Sequence, residues 1–289
     1  SPLSAILYSR KRLEHVMYHF FVSSGQISGN QIAIYGPNVN HIRNVLRLKP
    51  GETVLISDES GTDYRCELSD VQSDGVTAVI LEKSEENHEL SARIYLFQGL
   101  PKSDKMEWII QKAVELGVYQ IVPVAMKNCV VKLDQKKADA KIRRWNAISE
   151  SAAKQSKRSI VPKVAPLTSF SETIASYGFL SKHLMAYENT RGMAATKEQL
   201  ETVTAGMEIG IWIGPEGGFD PREVEEAAEH GMVPISLGKR ILRTETAGIT
   251  ALSLLMYHLE TEKEDSHGGA IPILRKPNVR HSGSILTLP

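Results

Sequence analysis

The apolar rhythm of the chain changes once, across the acidic stretch Glu82 to Glu89, and a sequence that changes period in this way must fold around two separate cores. Ahead of that stretch the pattern predicts short strands at Tyr18 to Val22, Ile32 to Tyr35, Thr53 to Ser57, Tyr64 to Ser69 and Val76 to Leu81. Turns such as Ser60-Gly61 and Asp74-Gly75 separate them, as in a small barrel. One helix interrupts the set: Pro37 suits a first helical position, His41, Val45 and Leu46 follow, and Lys49-Pro50-Gly51 ends it. After the acidic stretch, strands at Ile94 to Gln98, Gln120 to Val124, His183 to Tyr187, Glu208 to Ile213 and Pro234 to Leu237 alternate with helices, the pattern of an α/β sheet. The helix from Ser103 to Leu116 carries a clear core stripe of Met106, Ile109, Ile110, Ala113 and Val114, and Gly117 closes it. We therefore expect a barrel domain over 17–84 and an α/β domain over 90–262. Residues 1–16 read as a leader ahead of a start at Met17, and 265–289 as a flexible or non-native tail.

With 34 basic and 34 acidic residues the formal charge is zero, so any surface that meets a polyanion must be local. Such a surface is visible. From Lys127 to Lys163 there are eleven Lys or Arg against Asp134, Asp139 and Glu150, whereas Glu52 to Glu89 holds eleven acids and two bases. The bland alternative is a solvated helix whose outer face is Lys137, Lys141 and Arg144 around Ile142, Trp145 and Ile148. Arg43, Arg47 and Lys49 form a second basic group, on or after the barrel helix; His41 beside them reads equally as a packing residue. Cys66 and Cys129 stand far apart without metal-ligand spacing, so neither a disulfide framework nor a metal site is expected, and a reducing cytoplasm fits. No apolar run is long enough to cross a membrane. The segment Thr246 to Leu259 is apolar on every side, which points to burial against its own sheet and against a second copy, hence a homodimer.

Two loops carry the chemistry. Ile213-Gly214-Pro215-Glu216-Gly217-Gly218-Phe219 follows an apolar strand and precedes the helix Pro221 to His230, so a ligand can approach its backbone closely; a tight turn needing glycine for its geometry alone is the alternative. The second loop, Leu237 to Ala247, again joins a strand to a helix, and loops at neighbouring strand ends face one crevice. Thr244 can cap that helix and Glu245 suits its first turn, but Arg243 there is disfavoured unless an anion meets it, which marks it as a site residue. Neither GxxxxGK[ST] nor GxGxxG is present.

Taken together, several segments resemble one family. They are His41 with Val45-Leu46-Arg47, Gly99-Leu100-Pro101-Lys102 with Lys105-Met106-Glu107, Gln111-Lys112 and Glu115-Leu116-Gly117, Glu150 with Ala152 to Ser156 and Arg158, and the two loops. From about Met17 to Glu260 the chain is similar to the bacterial 16S rRNA uridine-N3 methyltransferases of the SPOUT superfamily (the RsmE family). The resemblance implies a PUA-like barrel followed by a SPOUT-type α/β domain with a trefoil knot, acting as a homodimer on 16S rRNA or the small ribosomal subunit, without a metal. It implies that Ile213, Gly214, Pro215, Glu216, Gly217, Gly218, Leu237, Gly238, Ile241, Leu242, Arg243 and Thr244 hold S-adenosylmethionine. Arg43, Arg47, Lys102, Lys105, Lys154 and Arg158 would then meet RNA. For methyl transfer to N3, Arg243 would supply a cation, Glu216 or Glu245 an orienting carboxylate and His41 a base. Ribose 2′-O methylation and non-catalytic RNA binding are the rival readings.

Overall fold

Two sheets, each with its own buried apolar cluster, stand on either side of the acidic stretch in the computed structural model, which describes residues 17–84, 88–187 and 192–266. The leader expected over 1–16 lies outside the described residues, as does the tail expected over 265–289 apart from Asp265 and Ser266, which end the last helix. The first sheet has six strands: β1 (His19–Phe21), β2 (Ile27–Ser28), β3 (Gln31–Ile34), β4 (Thr53–Ser57), β5 (Asp63–Val71) and β6 (Val76–Lys83). Their order is β1-β4-β5-β6-β3-β2, with β1 parallel to β4 and the rest antiparallel. Period-two alternation turns Val54 and Ile56, then Cys66 and Leu68, onto Phe20, Ile32, Ile34 and Ile42. Register shifts at Arg65/Cys66 and Leu68/Asp70 bend the two long strands.

Between β3 and β4 the helix expected from Pro37 onward is a single turn, α1 (Pro37–Asn40), that widens into a π turn over His41–Val45. There the Leu46 amide reaches back to the His41 carbonyl. Arg47 follows with a left-handed φ of 57°. Such a conformation is uncommon for a side chain of this size and holds Arg43 and Arg47 exposed on one stiff corner.

The second sheet is wholly parallel: β7 (Arg93–Gly99), β8 (Gln120–Ala125), β9 (Lys163–Val164), β10 (Thr168–Ser169), β11 (Lys182–Ala186), β12 (Glu208–Ile213) and β13 (Val233–Ile235). The helices are α2 (Lys105–Glu115), α3 (Gln135–Gln155), α4 (Phe170–Ser176), α5 (Gly192–Glu201), α6 (Pro221–Glu229) and α7 (Thr244–Ser266). Strands β7 and β12 are central and almost wholly buried, which is why they read as continuous apolar runs rather than alternating ones. The order β10-β8-β7-β12-β11-β13 places β8 and β12 on opposite sides of β7. Chains leaving β7 and its neighbours therefore diverge and open a crevice at their carboxyl ends. Helix α7 is longer than its apolar run: Ala251, Leu252, Leu255 and Leu259 pack on the core, while Tyr257 stands 70% exposed on another side. Among the described residues no helix is long and apolar enough to cross a membrane.

A buried polar junction joins the two units. Ser159, just after α3, donates through Oγ to Asp63 Oδ2 on β5 at 2.9 Å, and Ser57 donates to the other oxygen of the same carboxylate. His19 Nε2 lies 2.5 Å from Ser57 Oγ. Because Ser57 gives its proton to Asp63, the ring is the donor there, and its Nδ1 is buried without a partner. Beside this chain Arg158, 3% exposed, grips Glu89 through Nε and Nη2 and donates from Nη1 and Nη2 to the carbonyls of Val114 and Val118, at 2.8 and 3.0 Å.

Candidate active site

A cavity of about 580 Å³ opens at the carboxyl ends of β12, β11 and β13, the size and place expected of a small-molecule site. One wall is the glycine loop after β12, the other the loop from Ser236 to Arg243. Three ties from outside set the shape of these loops. At the end of β7, the fully buried Gln98 donates through Nε2 to Thr244 Oγ1 at 2.8 Å, and Thr244 donates in turn to the Gly214 carbonyl at 2.6 Å. Asn128, after β8, donates to the carbonyls of Gly217 and Gly218 at 3.2 and 3.3 Å. Gly99 lies against Pro215 so closely that a Cβ there would stand 2.7 Å from the proline ring. The glycine thus lets the first loop sit down on the sheet. Thr244→Val removes a buried hydroxyl that both accepts and donates, so it is expected to cost roughly 1–3 kcal/mol, and Thr244→Ser much less. Urea denaturation of the two variants checks this; a negligible cost for Thr244→Val beside a larger one for Thr244→Ser would mean that methyl packing and not the relay matters.

The walls are apolar: Ile213 and Ile235 are buried, and Phe219, Leu237, Leu242 and Ala247 are half-buried. Charge enters at two places. On the glycine loop, Glu216 accepts from the Lys102 amide at 3.0 Å and from Lys105 Nζ at 3.2 Å. Burial alone would raise its carboxyl, but the amide and the ammonium outweigh burial and hold it below the usual range. At the rim, Lys239, Arg240 and Arg243 are exposed, and no ion pair engages them among the described residues. Among the described residues no group of three or more His, Cys, Asp or Glu side chains is placed to hold a metal ion.

Of the residues singled out from sequence, Ile213, Gly214, Pro215, Glu216, Gly218, Leu237, Gly238, Ile241, Leu242, Arg243 and Thr244 line this cavity. Gly217 does not; it packs on Asn128, where a Cβ would meet the asparagine Cβ at 3.0 Å. Ile241 contributes no apolar wall, because the residue is 96% exposed. Glu245 stands off the lining, behind Lys105, at 3.3 Å from its ammonium. His41 is not brought to the cavity: it belongs to the barrel, its ring 6.0 Å from that of Phe20.

The residues expected to meet RNA divide likewise. Arg43, Arg47 and Lys102 are exposed, while Lys154 is tied to Glu150 at 2.6 Å. Arg158 corrects the reading from charge: it is 3% exposed and its guanidinium is engaged by Glu89, Val114 and Val118 inside the junction, out of reach of phosphate. Lys105 is likewise engaged inward, by Glu216 and Glu245. Lys127, Lys132, Lys136, Arg143, Lys157 and Lys163 are exposed and carry, with the ion-paired Lys137 and Arg144, what remains of the basic surface. Gln98 and Asn128 were not foreseen; a polar residue ending the apolar run of β7 was the available signal for the first.

Residues 88–256 match the family model described as an RNA methyltransferase domain, and residues 34–81 that of an RNA methyltransferase PUA domain. The fold and the crevice thus define an RNA methyltransferase with an appended PUA domain. Among curated proteins, the chain is 39% identical over 236 residues to ribosomal RNA small subunit methyltransferase E of Bacillus subtilis, covering 81% of this chain and 92% of that protein. The Synechocystis protein of the same name is 32% identical, with 90% of this chain and 84% of that protein covered. Among solved structures, ribosomal RNA small subunit methyltransferase E of Neisseria gonorrhoeae, bound to S-adenosyl methionine, superposes with a TM-score of 0.71 at 30% identity, covering 83% of this chain and 97% of that one. The chain belongs to the ribosomal RNA small subunit methyltransferase E family.

Proposed function

We propose that this chain moves a methyl group from S-adenosylmethionine to N3 of a uridine in the decoding region of 16S rRNA, acting on the assembled small ribosomal subunit in the cytoplasm. Family membership supports rRNA methylation with this cofactor. The observation that carries the site assignment is the two-loop cavity, whose apolar walls suit an adenosine and whose glycine backbones admit it closely. When bound, the cofactor supplies a methyl group on a sulfonium that leaves without further activation. Ile213, Leu237 and Leu242 would bound the adenosine, Gly214, Gly218 and Gly238 present backbone to it, and Thr244 fix the distance between the loops. The cationic rim of Lys239, Arg240 and Arg243 would receive the phosphates flanking the uridine, with the barrel corner at Arg43 and Arg47 holding RNA farther out. Because N3 lies on the pairing edge, the base must be unpaired or flipped to enter.

The proposal extends to a trefoil knot threaded through the two loops, and to a homodimer packed on the outward side of α7 around Tyr257. Sedimentation velocity is expected to give a dimer, and Tyr257→Asp a monomer; a monomeric parent protein would refute the pairing. The reaction itself is tested by transfer of labelled methyl from S-adenosylmethionine to small subunits from cells lacking the modification, followed by nucleoside mass analysis. The expected product is 3-methyluridine; a 2′-O-methylated nucleoside would overturn the assignment of the acceptor atom.

A further inference from the structure

Lys105 is, among the described residues, the one cation lining the cavity that belongs to neither of its loops, and two carboxylates hold it. It stands at the first turn of α2, and its side chain is about a third exposed, at 32%. Glu216 of the glycine loop is 3.2 Å from its Nζ and Glu245 of α7 is 3.3 Å away. The ammonium is thus gripped by carboxylates from two separate elements, and Glu216 is itself held in place by the Lys102 amide. The buried Oε2 of Glu245 has no aligned hydrogen bond and meets the ammonium as an ion pair. The hydrogen bond that Lys105 donates to Glu216, against the opposing effect of desolvation and with help from its pairing with Glu245, pushes the lysine above its usual range. It is therefore a fixed cation and not a proton acceptor. An ammonium has three N–H donors, and two carboxylate partners leave one for the cavity that the side chain lines. The other charged groups around the cavity are Lys239, Arg240 and Arg243, all on the exposed rim.

We propose that Lys105 is the cation that meets the uracil ring as the N3 proton leaves, with Glu216 and Glu245 as positioning residues that hold its ammonium against the cavity. This rests on the uridine-N3 function proposed above. In that transfer the N3–H bond breaks and its proton passes to water at the open mouth. The N3–CH3 bond forms as the CH3–S bond breaks, and the electron pair of that bond stays on sulfur, leaving a neutral thioether. Between these events the charge released at N3 spreads onto O2 and O4, where a preorganised N–H donor stabilises it. Arg243, the cation favoured from sequence, also lines the cavity but is exposed, and no carboxylate fixes its guanidinium among the described residues, so it serves phosphate better than the ring.

The test is the pH dependence of single-turnover methyl transfer to small subunits for the parent protein, Lys105→Met and Lys105→Arg. Loss of one such donor costs roughly 10²–10³ in rate, so Lys105→Met is expected to be slower by that factor at neutral pH. The deficit is expected to shrink as pH rises, because uridine then ionises without help, and Lys105→Arg is expected to keep much of the rate. A deficit that stays constant across pH overturns the proposal and leaves Lys105 a structural staple. A second readout needs no cofactor: the fluorine resonance of 5-fluorouridine monophosphate is followed through its ionisation with protein in excess. The parent protein is expected to lower the midpoint relative to free nucleotide, and Lys105→Met to return it; equal midpoints with both proteins refute the role. If mass analysis yields 3-methyluridine while both readouts fail, the assignment of Lys105 falls and the function stands; if another nucleoside forms, the function falls first.

Discussion

Arg158→Met is expected to cost about 3–5 kcal/mol of stability, because it removes the guanidinium that neutralises the largely buried Glu89 carboxylate and takes one donor from each of the Val114 and Val118 carbonyls. The guanidinium reaches Glu89, Val114 and Val118 at once, which ties the segment entering β7 to the end of α2. A cation at the carboxyl end of a helix is favourable in its own right, so the arginine also stabilises α2. Removing both charges is a different experiment. Arg158→Met with Glu89→Leu is expected to recover a large part of the loss, since an apolar pair has no uncompensated charge to bury. Guanidinium denaturation of the two singles and the double gives the coupling energy. Near-native stability for Arg158→Met, combined with a loss of affinity for small subunits, would restore this residue to the RNA surface.

The second large effect is acid sensitivity of the junction between the domains. Burial drives the His19 ring down to about 4, against the partial opposition of Asp63 and with smaller help from Lys154 and His88. The unfolded chain therefore takes up a proton near pH 6.5 that the folded chain refuses until about pH 4. Stability is complete above the first value and drains away as pH falls toward the second. A shift of that size corresponds to about 3 kcal/mol. The geometry explains why the ring resists: the proton would have to sit on Nδ1, which faces no acceptor. His19→Gln can still donate to Ser57 but does not titrate, so its stability should change less between neutral pH and pH 4 than that of the parent protein. Denaturant midpoints across that range decide the matter, and parallel curves for both proteins would show that another group governs the acid limb.

Much of this architecture was legible because it is local. Strand β4 has the bounds its alternation predicted, the α2 stripe is buried as expected, and the glycine loop follows its strand. The two-residue strands β2, β9 and β10 are too short to display any period. The expected barrel helix became a π turn because nothing in its composition distinguishes that winding from an ordinary one. What escaped at the site was long-range. Gln98 meets Thr244 across 146 positions and Lys102 meets Glu216 across 114, and no spacing rule connects such pairs. Arg158 was misread for a related reason: it sits in a basic run, but Lys157 takes a left-handed φ of 57° after the helix ends, and the turn carries the next side chain inward.

The central pairing of β7 with β12 sets a timetable for the newborn chain. Arg93 is matched with Glu208, so the two strands that frame the crevice are made 115 residues apart. At ribosomal speeds of about 5–20 residues per second, that gap lasts roughly 6–23 s. During it one edge of the most apolar strand is without its partner, while the barrel, whose strands are all complete by Lys83, is already free to fold. Parallel pairings this remote are slow to close and prone to aggregation until they do. The crevice is therefore among the last features to exist, and an arrested chain that stops short of β12 has a finished barrel joined to a sticky, half-built sheet that cannot yet bind its cofactor.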